Sequence, residues 1–154
     1  MRDSIGHSWI FMIVIVFTLI FAGFLVLTLS YSRAYKLKNE VTSILEKYEG
    51  LTDGSVTIIN NYLVNSGYKA SGVCQTGDYA VSSLSSSTIA LASAGSRYPY
   101  CISIRKDKDE PDRIIFKVTL FFDFNLPVFG QLNKYQIKGE TYGIKHAIVP
   151  TTTP

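Results

Sequence analysis

The sequence predicts an α+β protein in which one long N-terminal helix packs on a small antiparallel β-sheet. Three observations predict it. Residues 9–29 read WIFMIVIVFTLIFAGFLVLTL, and no Asp, Glu, Lys or Arg occurs between Asp3 and Arg33. Beyond that run, apolar residues recur at helical spacing as far as Tyr48. In the last third they alternate at period two instead, the pattern of half-buried strands.

The apolar run, with Trp9 and Leu29 at its ends, is about 20 residues long. At 1.5 Å per residue that is enough to cross a hydrocarbon core of about 30 Å. Two rivals compete with a membrane span. A buried helix would need a domain large enough to surround it, and about 100 residues is too few. A cleaved secretory signal normally has an apolar core of about 7–15 residues and ends at an A-x-A-like site. Here the run is longer and leads into Leu29-Ser30-Tyr31-Ser32-Arg33. The reading is a permanent single-pass anchor whose partner is the lipid bilayer.

The helix is expected to continue past the anchor. Ala34, Leu37, Val41, Ile44, Leu45 and Tyr48 fall on one helical face, with Lys36, Lys38, Asn39, Glu40, Ser43, Glu46 and Lys47 on the remainder. No proline or glycine interrupts residues 24–49, and Gly50 is placed to end the helix. Residues 1–50 thus form an anchor and amphipathic stalk, and residues 51–154 one small water-exposed domain.

In that domain Asp53-Gly54 reads as a turn. Ser55 is the expected cap of a short helix to about Asn65, with Val56, Ile59 and Leu63 on its apolar side and Gly67 as its stop. Residues 68–79 hold at most one short strand. Residues 81–96, VSSLSSSTIALASAGS, read as a loop or a poorly patterned element, with a strand possible over 88–94. Then Tyr100, Ile102 and Ile104 alternate, and KDKDEPD makes a charged hairpin connection. Ile114, Phe116, Val118, Leu120, Phe122 and Phe124 define the apolar face of the next strand. Its other face, with Lys117, Thr119 and Asp123, is only half polar because of Ile115 and Phe121. NLPVFGQ turns the chain into a last strand over 134–145, and the tail after Pro150 has nothing to bury. The three strands are expected as a meander whose Phe116, Val118, Leu120 and Phe122 pack on Leu37, Val41, Ile44 and Leu45 of the stalk.

A net charge of +3, dispersed along the chain, does not point to nucleic acid. Cys74 and Cys101 both follow the anchor. In an oxidising compartment they would close a loop of about 27 residues, a constraint of roughly 3 kcal/mol. Two free buried thiols are the alternative. With histidine only at His7 and His146, no zinc spacing exists, and no metal or cofactor is expected. No G-x-S-x-G or phosphate-binding loop is present, so neither a catalytic site nor a small-molecule substrate is evident. The carboxylates of KDKDEPD lack the glycine and terminal glutamate of an EF-hand. As for orientation, Arg33, Lys36 and Lys38 favour a cytoplasmic domain by the positive-inside rule, while the cysteine pair favours export.

A tail with Met1-Arg2 and Gly6, then a long apolar helix with an amphipathic continuation, then strands ending FFDFNLPVFGQLNKYQIKGETYGI, resembles the TadE-like minor pilins, or pseudopilins, of tight-adherence pilus systems. The likeness covers the anchor and the C-terminal hairpin. It implies a pilin-like fold and an extracytoplasmic domain on the cytoplasmic membrane. It also implies a structural, non-enzymatic role in a pilus, pseudopilus or secretion assembly, with other pilin-like or membrane subunits meeting the N-terminal helix. Gly6 is then the candidate processing site. Such precursors carry glutamate at the fifth mature position, where this chain has Phe11. The expectation is an uncleaved, accessory subunit. The rival is a membrane-tethered binding module with no part in an assembly. Ala22-Gly23 is a small-residue point at which another helix can approach.

Overall fold

A computed structural model describes the backbone of residues 3–126 and 130–150. Met1-Arg2, Pro127 of the expected turn and the TTTP tail lie outside the described residues. The fold is α+β, with two helices on one face of a six-stranded antiparallel sheet.

Helix α1 is a single unbroken element, Asp3–Lys47. Its two halves meet different surroundings. Trp9 is 71% exposed and Leu29 65%, whereas Ala34, Val41 and Leu45 are fully buried and Leu37 nearly so. The amphipathic part packs on the sheet as expected, its apolar face in the domain core and Tyr35, Lys36, Asn39, Glu40, Ser43 and Lys47 exposed on the other face. It ends where Glu49 and Gly50 take φ of 52° and 138°. At Gly50 a Cβ would stand 2.8 Å from the backbone nitrogen of Ile148. Glycine is needed there because the C-terminal segment returns to this point: Leu51 N–H donates to the Ile148 carbonyl (3.0 Å) and Ile148 N–H to that of Glu49 (2.9 Å).

Helix α2 spans Asp53–Asn65. Its cap is Thr52, not Ser55. Ser55 N–H donates to Thr52 Oγ1 (3.1 Å) while Thr52 N–H donates to Ser55 Oγ (2.9 Å), a reciprocal capping box built with serine. Asp53-Gly54, expected as a turn, becomes the first helical turn, where the aspartate suits the helix dipole. Val56, Ile59 and Leu63 are fully buried, and Gly67 (φ 71°) follows the end.

The strands are β1 Gly72–Val73, β2 Tyr79–Val81, β3 Ile89–Leu91, β4 Arg97–Tyr98, β5 Tyr100–Lys106, β6 Arg113–Leu126, β7 Gly130–Glu140 and β8 Ile144–Lys145. The main sheet runs β3-β2-β5-β6-β7, with β8 returning to β6; β1 and β4 make a separate pair. The expected meander is its β5-β6-β7 part. Leu120 lies opposite Tyr100 on one side and Ile137 on the other. Two boundaries differ from expectation. The connection after β6 is shorter than 125–131, because Asn125 and Leu126 still pair with Gln131 and Gly130. The last strand breaks at 141–143, because the Thr141 hydroxyl takes the Phe116 N–H (2.9 Å) and the Thr141 N–H goes to the Phe116 carbonyl (3.0 Å).

The core between helices and sheet joins Leu37, Val41 and Leu45 to Phe116, Val118 and Leu120, with Val56, Ile59 and Leu63 closing it from α2. Each such side chain contributes roughly 1.5–3 kcal/mol on burial. Ile44 and Phe122 are half-buried against the same cluster. A hydrogen-bond chain crosses the layers: Tyr100 Oη donates to Asn60 Oδ1 (3.0 Å), and Asn60 Nδ2 donates to the Ser86 carbonyl (2.7 Å). That bond ties down the serine-rich segment, which holds β3 and the buried Ala92.

Candidate functional site

Two surfaces of the described residues offer themselves for function. The first is the outer face of the sheet. Cys101 and Phe121, on neighbouring strands, point away from the helices. They pack with Cys74, Ala80 and Ala92 into a second, smaller core. Cys74 and Cys101 are joined there as a disulfide, 5.6 Å apart between Cα atoms. Gly72 lies so close over the Phe121 ring that any side chain would collide with it. This outer layer was not foreseen. Its signal was present, since Phe121, with Ile115, leaves the outer face of β6 only half polar.

Beside the disulfide the sheet face opens into a groove of about 520 Å³, lined among others by Asp78, Ser103, Arg105, Lys117, Gln136 and Lys138. Asp78 is buried and satisfied: Ser103 Oγ donates to its Oδ1 (2.5 Å) and the Gln75 N–H to its Oδ2 (3.1 Å). Lys117 Nζ stands 3.2 Å from Glu140 Oε1. The groove thus presents Arg105 and Lys138 beside a neutralised pair, a surface that suits a polar or anionic partner. Among the described residues no serine or cysteine is hydrogen-bonded to a histidine, and no three His, Cys, Asp or Glu side chains converge on a metal position. Burial pushes the phenols of Tyr68 and Tyr100 well above the ordinary value, although the Phe121 N–H bonded to Tyr68 pulls the other way. Tyr68 accepts that N–H (2.9 Å) and donates to the Pro99 carbonyl (2.8 Å), so both phenols serve the fold.

The second surface is the N-terminal part of α1, long and apolar enough to cross a membrane. Its two threonines are satisfied within the helix, Thr18 Oγ1 donating to the Val14 carbonyl (2.8 Å) and Thr28 Oγ1 to that of Phe24 (2.9 Å). At Gly23 nothing stands within 4 Å of the Cβ position, which leaves a notch in the rod. Phe11 is exposed, and Gly6 lies in the first turns of the helix backbone. Past Leu29, the Tyr31 and Tyr35 rings stack at 6.4 Å, and Lys38 Nζ lies 4.1 Å from the Tyr35 centroid. The sequence-predicted packing residues meet in one cluster and the two cysteines meet in another, while the groove cations were not foreseen as a group. No family model, no curated protein and no solved structure matches this chain.

Proposed function

We propose that this chain is a single-span, pilin-like structural subunit anchored in the cytoplasmic membrane. Its domain lies on the extracytoplasmic side, and it serves as an accessory member of a pilus, pseudopilus or secretion assembly. The observation that carries the reading is the division of one rigid helix into two halves. The C-terminal half sets its apolar face, Ala34, Leu37, Val41 and Leu45, in the domain core, and the large apolar side chains of residues 9–29 are exposed, with open space at Gly23. Such a rod offers the lipid and neighbouring helices a long lateral surface, while the domain is held at a fixed place along it. The disulfide supports an oxidising compartment. The likeness to TadE-like minor pilins agrees with this arrangement, and Phe11 in place of the usual glutamate supports an accessory role.

The groove over the disulfide favours a second reading, a tethered module that captures a polar or anionic partner there. Photo-crosslinkers at Phe17 and at Lys138, in native membranes, separate the two. The assembly reading expects Phe17 adducts with the helix of another copy or of a second single-span chain. Adducts from Phe17 to lipid alone, with protein adducts from Lys138, would replace it by the tethered module.

A further inference from the structure

The outer face of the sheet carries a line of cations. Cross-strand partners, and alternate residues along a strand, share a face. Thr119 pairs with Lys138 and Ile115 with Arg105, and Lys117 lies midway between Ile115 and Thr119 on β6. Lys117 is therefore the diagonal neighbour of both cations, and the three cross the sheet in steps of about 7–8 Å. All three line the groove beside the disulfide, where they stand against one carboxylate, Asp78. Asp78 is buried and taken up by the Ser103 hydroxyl and the Gln75 N–H. Lys117 is paired with Glu140. Arg105 and Lys138 are exposed, and among the described residues neither has an ion-pair partner.

The same chain carries the complement. Residues 109–112, DEPD, in the connection from β5 to β6, hold three carboxylates and no cation. They form an ordered turn, because Arg113 N–H donates to the Glu110 carbonyl (2.9 Å) and Pro111 presets the first corner. Glu110 is held by Arg113 at 2.7 Å. Asp109 and Asp112 are exposed, and among the described residues no ion pair joins either to a groove cation of its own chain.

We propose that the groove is the docking site for a second copy of this chain, which seats its 109–112 turn against Arg105 and Lys138. The inference rests on the assembly reading for its partner, a neighbouring copy in the same membrane. The contact is heterologous, turn of one copy to groove of the next, so it leaves a free groove at one end and a free turn at the other, and copies join in a row. Charge pairs of this kind set register and partner choice more than affinity, and salt weakens them.

Two differently tagged copies of the full chain, co-expressed in native membranes, test it. One carries a benzophenone side chain in place of Gln136, which lines the groove and leaves its cations intact. Mass spectrometry should find its adducts on residues 106–113 of the other copy. Arg105→Glu with Lys138→Glu in the first copy, or Asp109→Lys with Asp112→Lys in the second, should lower the yield about tenfold. Combining the two reversed copies should restore it, and Lys108→Gln in the same connection should not lower it. In unreversed copies the position of the adduct decides alone: adducts elsewhere on the copy, on a different protein or on none refute the contact. A crosslinker at Phe17 keeps the two readings apart. Helix adducts from Phe17 without copy adducts from Gln136 leave the assembly standing and remove this contact. Lipid adducts alone from Phe17, with copy adducts from Gln136 on 106–113, uphold the contact and overturn assembly through the helix.

Discussion

Leu120→Ala tests the faces of β6 most directly. Leu120 is fully buried between Tyr100 and Ile137 on the neighbouring strands, beneath α1. The truncation removes three carbon atoms, worth roughly 2.4 kcal/mol at about 0.8 kcal/mol each. The surrounding rungs are held by hydrogen bonds on both sides and cannot collapse fully, so a void adds to the loss, for a total of about 3–4 kcal/mol. With a urea dependence of about 1.5 kcal/mol per molar, the midpoint falls by about 2 M. The assay is a urea titration of the full chain in detergent, followed by tyrosine fluorescence. Thr119→Ala, one residue earlier and on the opposite face, is the control and stays within about 0.5 kcal/mol. Equal losses from the two substitutions would refute the assignment of faces.

Four further outcomes are expected. Cys74→Ser paired with Cys101→Ser releases a loop spanning 27 residues and costs about 3 kcal/mol by the same titration. On intact cells a membrane-impermeant maleimide labels these cysteines only after reduction, and labelling that needs lysis but no reductant would contradict an exported domain. The raised phenols of Tyr68 and Tyr100 keep their protons in the folded state when the unfolded chain loses them near the ordinary value of 10.0. Stability is therefore level below pH 10 and falls above it, by up to about 1.4 kcal/mol per pH unit for each phenol, and Tyr100→Phe should reduce the slope measured from urea midpoints. Gly50→Ala, at φ 138° and against the Ile148 backbone, costs about 1–3 kcal/mol or more in that titration. Mass spectrometry of the membrane-extracted chain should find the N-terminus upstream of Gly6 intact, and a chain beginning at His7 would overturn the accessory role.

The parts of the fold governed by a single period were legible in the sequence. From Ala34 on, α1 follows a repeat of 3.6 and the inner face of β6 a repeat of 2, and the apolar residues they bury in the core are among those the repeats pick out. Elements defined by partners far along the chain were not. β2 and β3 are three residues each; β2 exists because β5 offers it an edge and β3 because β2 does, which no local pattern announces. The Thr52 cap was hidden because its box is closed by serine instead of glutamate or glutamine. The groove is assembled from Asp78, Ser103, Lys117 and Lys138, four separate segments that only the sheet register brings together.

The burial of the second half of α1 has a mechanical consequence. Force applied along its N-terminal part does not reach a flexible linker, because no glycine or proline lies between residue 24 and the point where Ala34 enters the core. It passes directly into the contacts that α1 makes with β6 and β7. A pull on the N-terminal half of the helix therefore loads the domain core directly, with no slack segment in between.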